Sequence, residues 1–116
     1  KAVFTVIALC AIALPVKAEE KIYYCQMTGN TEVSVEGQQK YKLDKFKFKV
    51  TADEVVFGSG GFFSNGKMKI DKFGGLNFFT ARDDWGILGL ADGVFTYGYL
   101  ALGDRVVAIT ARCDDF

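Results

Sequence analysis

Between Lys45 and Val50 the chain alternates without a break: Lys45, Lys47 and Lys49 on odd positions, Phe46, Phe48 and Val50 on even ones. Only a period of two sorts these residues into one charged and one apolar face. A helix would scatter both kinds around its surface. Residues 31–36 alternate too, with Val33 and Val35 facing one way and Glu32, Ser34 and Glu36 the other. Beyond residue 18 no stretch shows the i, i+3, i+4, i+7 repeat of an amphipathic helix.

Turn-forming residues cut this pattern into short pieces. Residues 21–27 are β-rich, and Thr28-Gly29-Asn30 reads as a turn. A strand at 31–36 is closed by Gly37-Gln38-Gln39. Residues 40–43 put Tyr41 and Leu43 on one face, yet the apolar parity is even from Phe46 onward. A bulge or short break near Asp44 restores register. Further strands are expected at 54–57, 62–64, 67–70, 76–81, 85–90, 94–102 and 105–113. Turns or loops at 51–53, 58–61, Asn65-Gly66, 82–84, Asp92-Gly93 and Gly103-Asp104 separate them. Taken together these pieces make up about eight short antiparallel strands, the pattern of a small all-β barrel or sandwich. In a closed up-and-down order with an even strand count, the first and last strands are antiparallel neighbours.

The first eighteen residues read differently. Lys1 precedes an apolar run from 2 to 14, and Val16 and Ala18 stand at the −3 and −1 positions of a signal-peptidase site. This is the layout of a secretory signal peptide, with a single β domain at 19–116. Thirteen apolar residues fall short of the ~20 that span a bilayer. The expected location is therefore exported, periplasmic or secreted, with no stable membrane span once the signal is cleaved. Without the leader the domain has 98 residues, no proline, and twelve basic against fourteen acidic side chains.

Two cysteines remain, Cys25 near the start and Cys113 near the end. Cysteines in an exported domain most often pair; two free thiols or an intermolecular bridge are the alternatives. A Cys25–Cys113 bridge requires the first and last strands to lie side by side. It would close nearly the whole domain, contributing about 4.5 kcal/mol in the chain-entropy model.

The chain has no histidine, so Ser-His and Cys-His pairs are excluded, as is any histidine metal site. No nucleophile–base pair is recognisable, and no catalytic residue, metal or cofactor is assigned. The surface candidates are the lysine row and a glycine-rich loop. Lys45, Lys47 and Lys49 make either the solvated face of an amphipathic strand or a cationic face suited to an anion or an acidic partner. It carries no interleaved aromatics, which disfavours nucleic acid. In Gly58-Ser59-Gly60-Gly61-Phe62-Phe63 the glycines lack the G-K-[ST] of a phosphate loop. They can instead present Ser59, Gly60, Phe62 and Phe63 to a partner, or form a hairpin connection with Phe62 or Phe63 buried. In Arg82-Asp83-Asp84-Trp85 the carboxylates have no EF-hand spacing and read as a solvated turn beside Trp85.

Tyr23-Tyr24-Cys25, Lys45-Phe46-Lys47-Phe48-Lys49-Val50 and the ending Thr110-Ala111-Arg112-Cys113-Asp114-Asp115-Phe116 are similar to those of small exported bacterial β-proteins. Tyr23-Tyr24-Cys25 and Gly58-Ser59-Gly60-Gly61 also resemble the periplasmic and membrane-bound inhibitors of c-type lysozyme. That family consists of small exported β-barrels with a Ser-Gly-rich loop that enters the lysozyme cleft. The resemblance implies that Ser59 contacts the lysozyme's catalytic carboxylates. The family's following tyrosine is Phe62 or Phe63 here, and its later Lys-Gly element has no match. The function expected is a non-enzymatic binding or interaction module whose partner the sequence does not name. The alternatives are a lysozyme inhibitor of this kind, or a barrel carrying a small apolar ligand. Sixteen aromatics could fill such a barrel, so its interior decides the last case.

Overall fold

The computed structural model describes residues 19–101 and 103–115, and every regular element among them is a β-strand. The leader lies outside the described residues. In chain order the strands are β1 (Lys21–Ser34), β2 (Gly37–Lys40), β3 (Lys45–Val50), β4 (Glu54–Phe57), β5 (Lys67–Gly75), β6 (Phe78–Arg82), β7 (Gly86–Ala91), β8 (Val94–Ala101) and β9 (Arg105–Asp115). From β3 to β9 each strand pairs antiparallel with the next, β1 pairs with β3, and β9 returns to β1. Eight strands thus close an up-and-down barrel. β2 is a ninth, folded back onto the far half of β1. We call the end where β1 finishes the upper end.

The alternation decides which side of the wall each residue occupies. Phe46, Phe48 and Val50 are buried and Lys45, Lys47 and Lys49 exposed. β9 does the same with Val107, Ile109, Ala111 and Cys113 inward. The interior is a network of rings. Phe95 lies 4.8 Å from Phe46 and 6.0 Å from Phe48 between centroids, and Phe79 lies 6.5 Å from Phe48. The lower end is closed by Tyr23, whose hydroxyl donates to the Leu76 carbonyl at 3.0 Å. Cys25 and Cys113 face each other in register on β1 and β9, and their disulfide sits inside the wall.

Three local expectations are corrected. Thr28-Gly29-Asn30 is not a turn. It lies within β1, where the register slips between Met27 and Gly29. Long-range pairing with β9 overrides the turn composition here, and the glycine serves a close approach: a Cβ on Gly29 would sit 2.7 Å from Thr110 Oγ1. The Asn30 side chain points inward and donates to the Lys42 carbonyl at 3.2 Å. Residues 41–44 run against β1 without forming a ladder, which is where the parity break falls. Residues 37–39 extend the sheet as part of β2 instead of ending a strand. Residues 62–64 form a turn and not a strand. Phe63 turns into the upper mouth, stacking on Phe57 at 4.6 Å and meeting Phe46 and Tyr97 edge-on at 4.9 Å. Burying that ring outweighs strand pairing over three residues.

Candidate functional site: a groove over the barrel seam

Cys25 opposite Cys113 fixes the seam in antiparallel register, so their neighbours on the outer face are also set. Gln26 pairs with Arg112 on one side and Lys45 on the other. Tyr24 pairs with Asp114 and Lys47. The result is two rows across β9, β1 and β3: Arg112–Gln26–Lys45, and below it Asp114–Tyr24–Lys47. These rows floor a groove of about 900 Å³, with Ser59 and Gly60 of the β4–β5 connection also lining it.

The glycines of that connection let it lie close to β3. A Cβ on Gly58 would meet the Lys47 methylenes at 2.7–3.2 Å. Gly61, at φ 140°, would bring one to 3.0 Å from the Lys45 carbonyl oxygen. The segment is held by backbone bonds: Gly58 N donates to Lys47 O at 3.0 Å and Asn65 N to Gly58 O at 3.2 Å. Ser64 Oγ donates to the Gly61 carbonyl at 3.0 Å. The glycine-rich stretch is thus a shaped wall of the groove.

Four of the residues nominated from sequence therefore meet here: Lys45, Lys47, Ser59 and Gly60. Lys49 shares their strand face but lies below the groove, opposite Ile22 and Val56. Phe62 is 43% exposed. Its ring meets that of Phe63 at 4.9 Å. Phe63 is a plug of the upper mouth. Tyr24, Gln26, Arg112 and Asp114 were not nominated. Their signal was the disulfide itself, because pairing Cys25 with Cys113 places each flanking residue.

The groove's charge is unbalanced. Among the described residues the ion pairs are Lys21–Asp115 (3.1 Å), Lys42–Asp44 (4.0 Å), Arg82–Asp71 (3.2 Å), and Arg105 with Glu32 (2.9 Å) and Asp104 (3.2 Å). None uses Lys45, Lys47 or Arg112. The groove thus presents three unpaired cations and one carboxylate, Asp114. Just below it, the Lys21–Asp115 pair holds the lysine above and the carboxyl below their ordinary titration ranges.

The upper mouth is built differently. Burial, with smaller contributions from Asp83 and Tyr99, pushes the Tyr97 phenol up to about 12. Asp83 Oδ1 accepts from Trp85 N and Gly86 N, both at 2.8 Å, so this carboxylate caps its own turn. Among the described residues no group of three or more His, Cys, Asp or Glu could hold a metal ion. No helix there is long and apolar enough to cross a membrane. Ser59 has no hydrogen-bonded carboxylate or amine among the described residues. The chemistry available in the groove is anion binding by charge-assisted hydrogen bonds. No family model, curated protein or solved structure matches this chain.

Proposed function

We propose that this protein is an exported, non-enzymatic binding module whose working face is the seam groove. The observation that carries this is the convergence of Arg112, Lys45 and Lys47, without internal acid partners, on a concave surface. A solvated face needs no concavity and no shaped loop beside it. The Cys25–Cys113 bridge is consistent with an oxidising compartment, which supports export to the periplasm or beyond. The filled interior argues against the carrier reading, since the rings occupy the space an apolar ligand would need.

The test is capture of envelope proteins by the purified chain, with Lys45→Glu and Lys49→Glu compared side by side. The groove variant should lose the captured partner and the Lys49 variant should keep it. Equal loss in both would remove the groove from the argument. A second reading, inhibition of a c-type lysozyme, is favoured by one observation: Ser59 lines the same groove. It requires suppression of that lysozyme at micromolar protein, weakened in Ser59→Ala. Full lysozyme activity in the presence of the protein would dismiss it.

A further inference from the structure

Resting on the groove as the binding face, we infer that its upper row, Arg112–Gln26–Lys45, is a subsite for a single carboxylate side chain of a partner protein. The two cations stand on strands either side of β1. Two interstrand spacings put their backbones about 10 Å apart, within reach of one anion from both banks by long side chains. Between them Gln26 is drawn sideways. Its Nε2 donates to the carbonyls of Met27 (3.3 Å) and Asp44 (3.4 Å), not toward the groove. No described carboxylate pairs with either cation, so neither loses an existing ion pair when an anion arrives.

The lower row sets the selectivity. Asp114 faces Lys47 across Tyr24, so that row has no net formal charge and repels a second anion on the Asp114 side. A phosphodiester backbone, with a charge at every nucleotide, would run onto Asp114. A lone aspartate or glutamate on a protruding loop meets the upper row without touching that acid. The subsite thus favours an acidic protein side chain over a polyanion.

The test is titration of the whole chain, followed by backbone amide NMR, with a capped Gly-Gly-Glu-Gly-Gly peptide. Its Gln counterpart, inorganic phosphate and a short single-stranded oligonucleotide are run in parallel. The Glu peptide should produce saturable shifts at Gln26, Lys45 and Arg112, and the Gln peptide none. Arg112→Gln and Lys45→Gln should each weaken binding about tenfold, the scale of one charge-assisted hydrogen bond. Lys49→Gln should change it by less than about twofold, as an exposed charge outside the subsite does. Asp114→Asn should tighten it. Equal binding of the Gln peptide, equal weakening by Lys49→Gln, or tighter binding of phosphate or the oligonucleotide would each overturn the carboxylate subsite. If the Glu peptide fails while Lys45→Glu still abolishes partner capture, the subsite is wrong and the groove reading stands. If capture survives Lys45→Glu as well, both are wrong.

Discussion

On the seam, β9, β1 and β3 turn Arg112, Tyr24, Lys45 and Lys47 outward. On the far wall, β6, β7 and β8 turn outward Thr80, Ile87, Gly89, Thr96 and Gly98. The inward residues of the two regions are of one kind: Phe46 and Phe48 on the seam, Phe79, Leu88, Leu90 and Phe95 on the wall. A barrel therefore constrains its inner positions and leaves its outer ones free. Apart from Arg82 at the end of β6, which pairs with Asp71, the far wall closes with uncharged outer residues. The cations of the seam are not required by closure, and that is why they carry information about binding.

The regions also differ in how they are held. The seam has the longest strands and a covalent bridge spanning 88 residues of sequence. The wall has strand pairing and packing, with no covalent bridge among the described residues. The largest effect expected is therefore from the Cys25→Ala, Cys113→Ala double variant. It should lose about 4.5 kcal/mol of unfolding free energy in the chain-entropy model, read from urea unfolding. Since small domains hold about 5–15 kcal/mol in total, this removes about a third or more of the stability. An unchanged urea midpoint would show that hydrogen bonding alone holds the seam. On the far wall, Phe79→Ala should cost about 3–5 kcal/mol through lost burial and a cavity against Phe48. A cost below about 1 kcal/mol would mean that the wall does not depend on that ring.

The sequence carried this division unevenly. Inner positions were legible because burial enforces alternation, most clearly at Lys45–Val50. The joining of the first and last strands was legible because two cysteines near the ends pair across one neighbouring ladder. The groove was half legible. Lys45, Lys47, Ser59 and Gly60 stood out by composition, whereas Tyr24, Gln26, Arg112 and Asp114 are ordinary residues until the disulfide register aligns them. Burial of Phe62 or Phe63 was legible as one reading of the glycine-rich connection, but local pattern suits a strand at 62–64, and only tertiary packing makes the Phe63 ring the plug. Thr28-Gly29-Asn30 was misjudged for the same reason: turn composition lost to pairing with β9.

The upper mouth gives a pH test of intermediate size that belongs to the β8 side and leaves the seam untouched. Tyr97 ionises near 10 in the unfolded chain and at about 12 in the folded one, chiefly because it is half-buried. Between those values the unfolded chain gives up its proton first. Stability should therefore be constant from this group below pH 10 and fall as pH rises from 10 toward 12. Tyr97→Phe should flatten that decline, measured as the urea midpoint against pH. A decline of equal slope in the variant would assign it to other tyrosines or lysines.

The smallest effect tests the claim that outer positions are free. Thr96 is exposed on β8, between Gly89 on β7 and Thr110 on β9. Thr96→Lys places a cation among the uncharged outer residues of β7 and β8, where its stem can lie over Gly89 and its amine reach water. Stability should stay within about 0.5 kcal/mol, as for surface substitutions away from special backbone or buried polar groups. Capture of the partner should be unchanged, because the lysine adds charge to the molecule without adding it to the groove. This separates site from field. If Thr96→Lys strengthened capture as much as Lys45→Glu weakens it, binding would follow total charge and the seam geometry would be irrelevant. If only Lys45→Glu acts, position and not charge count makes the seam the working face.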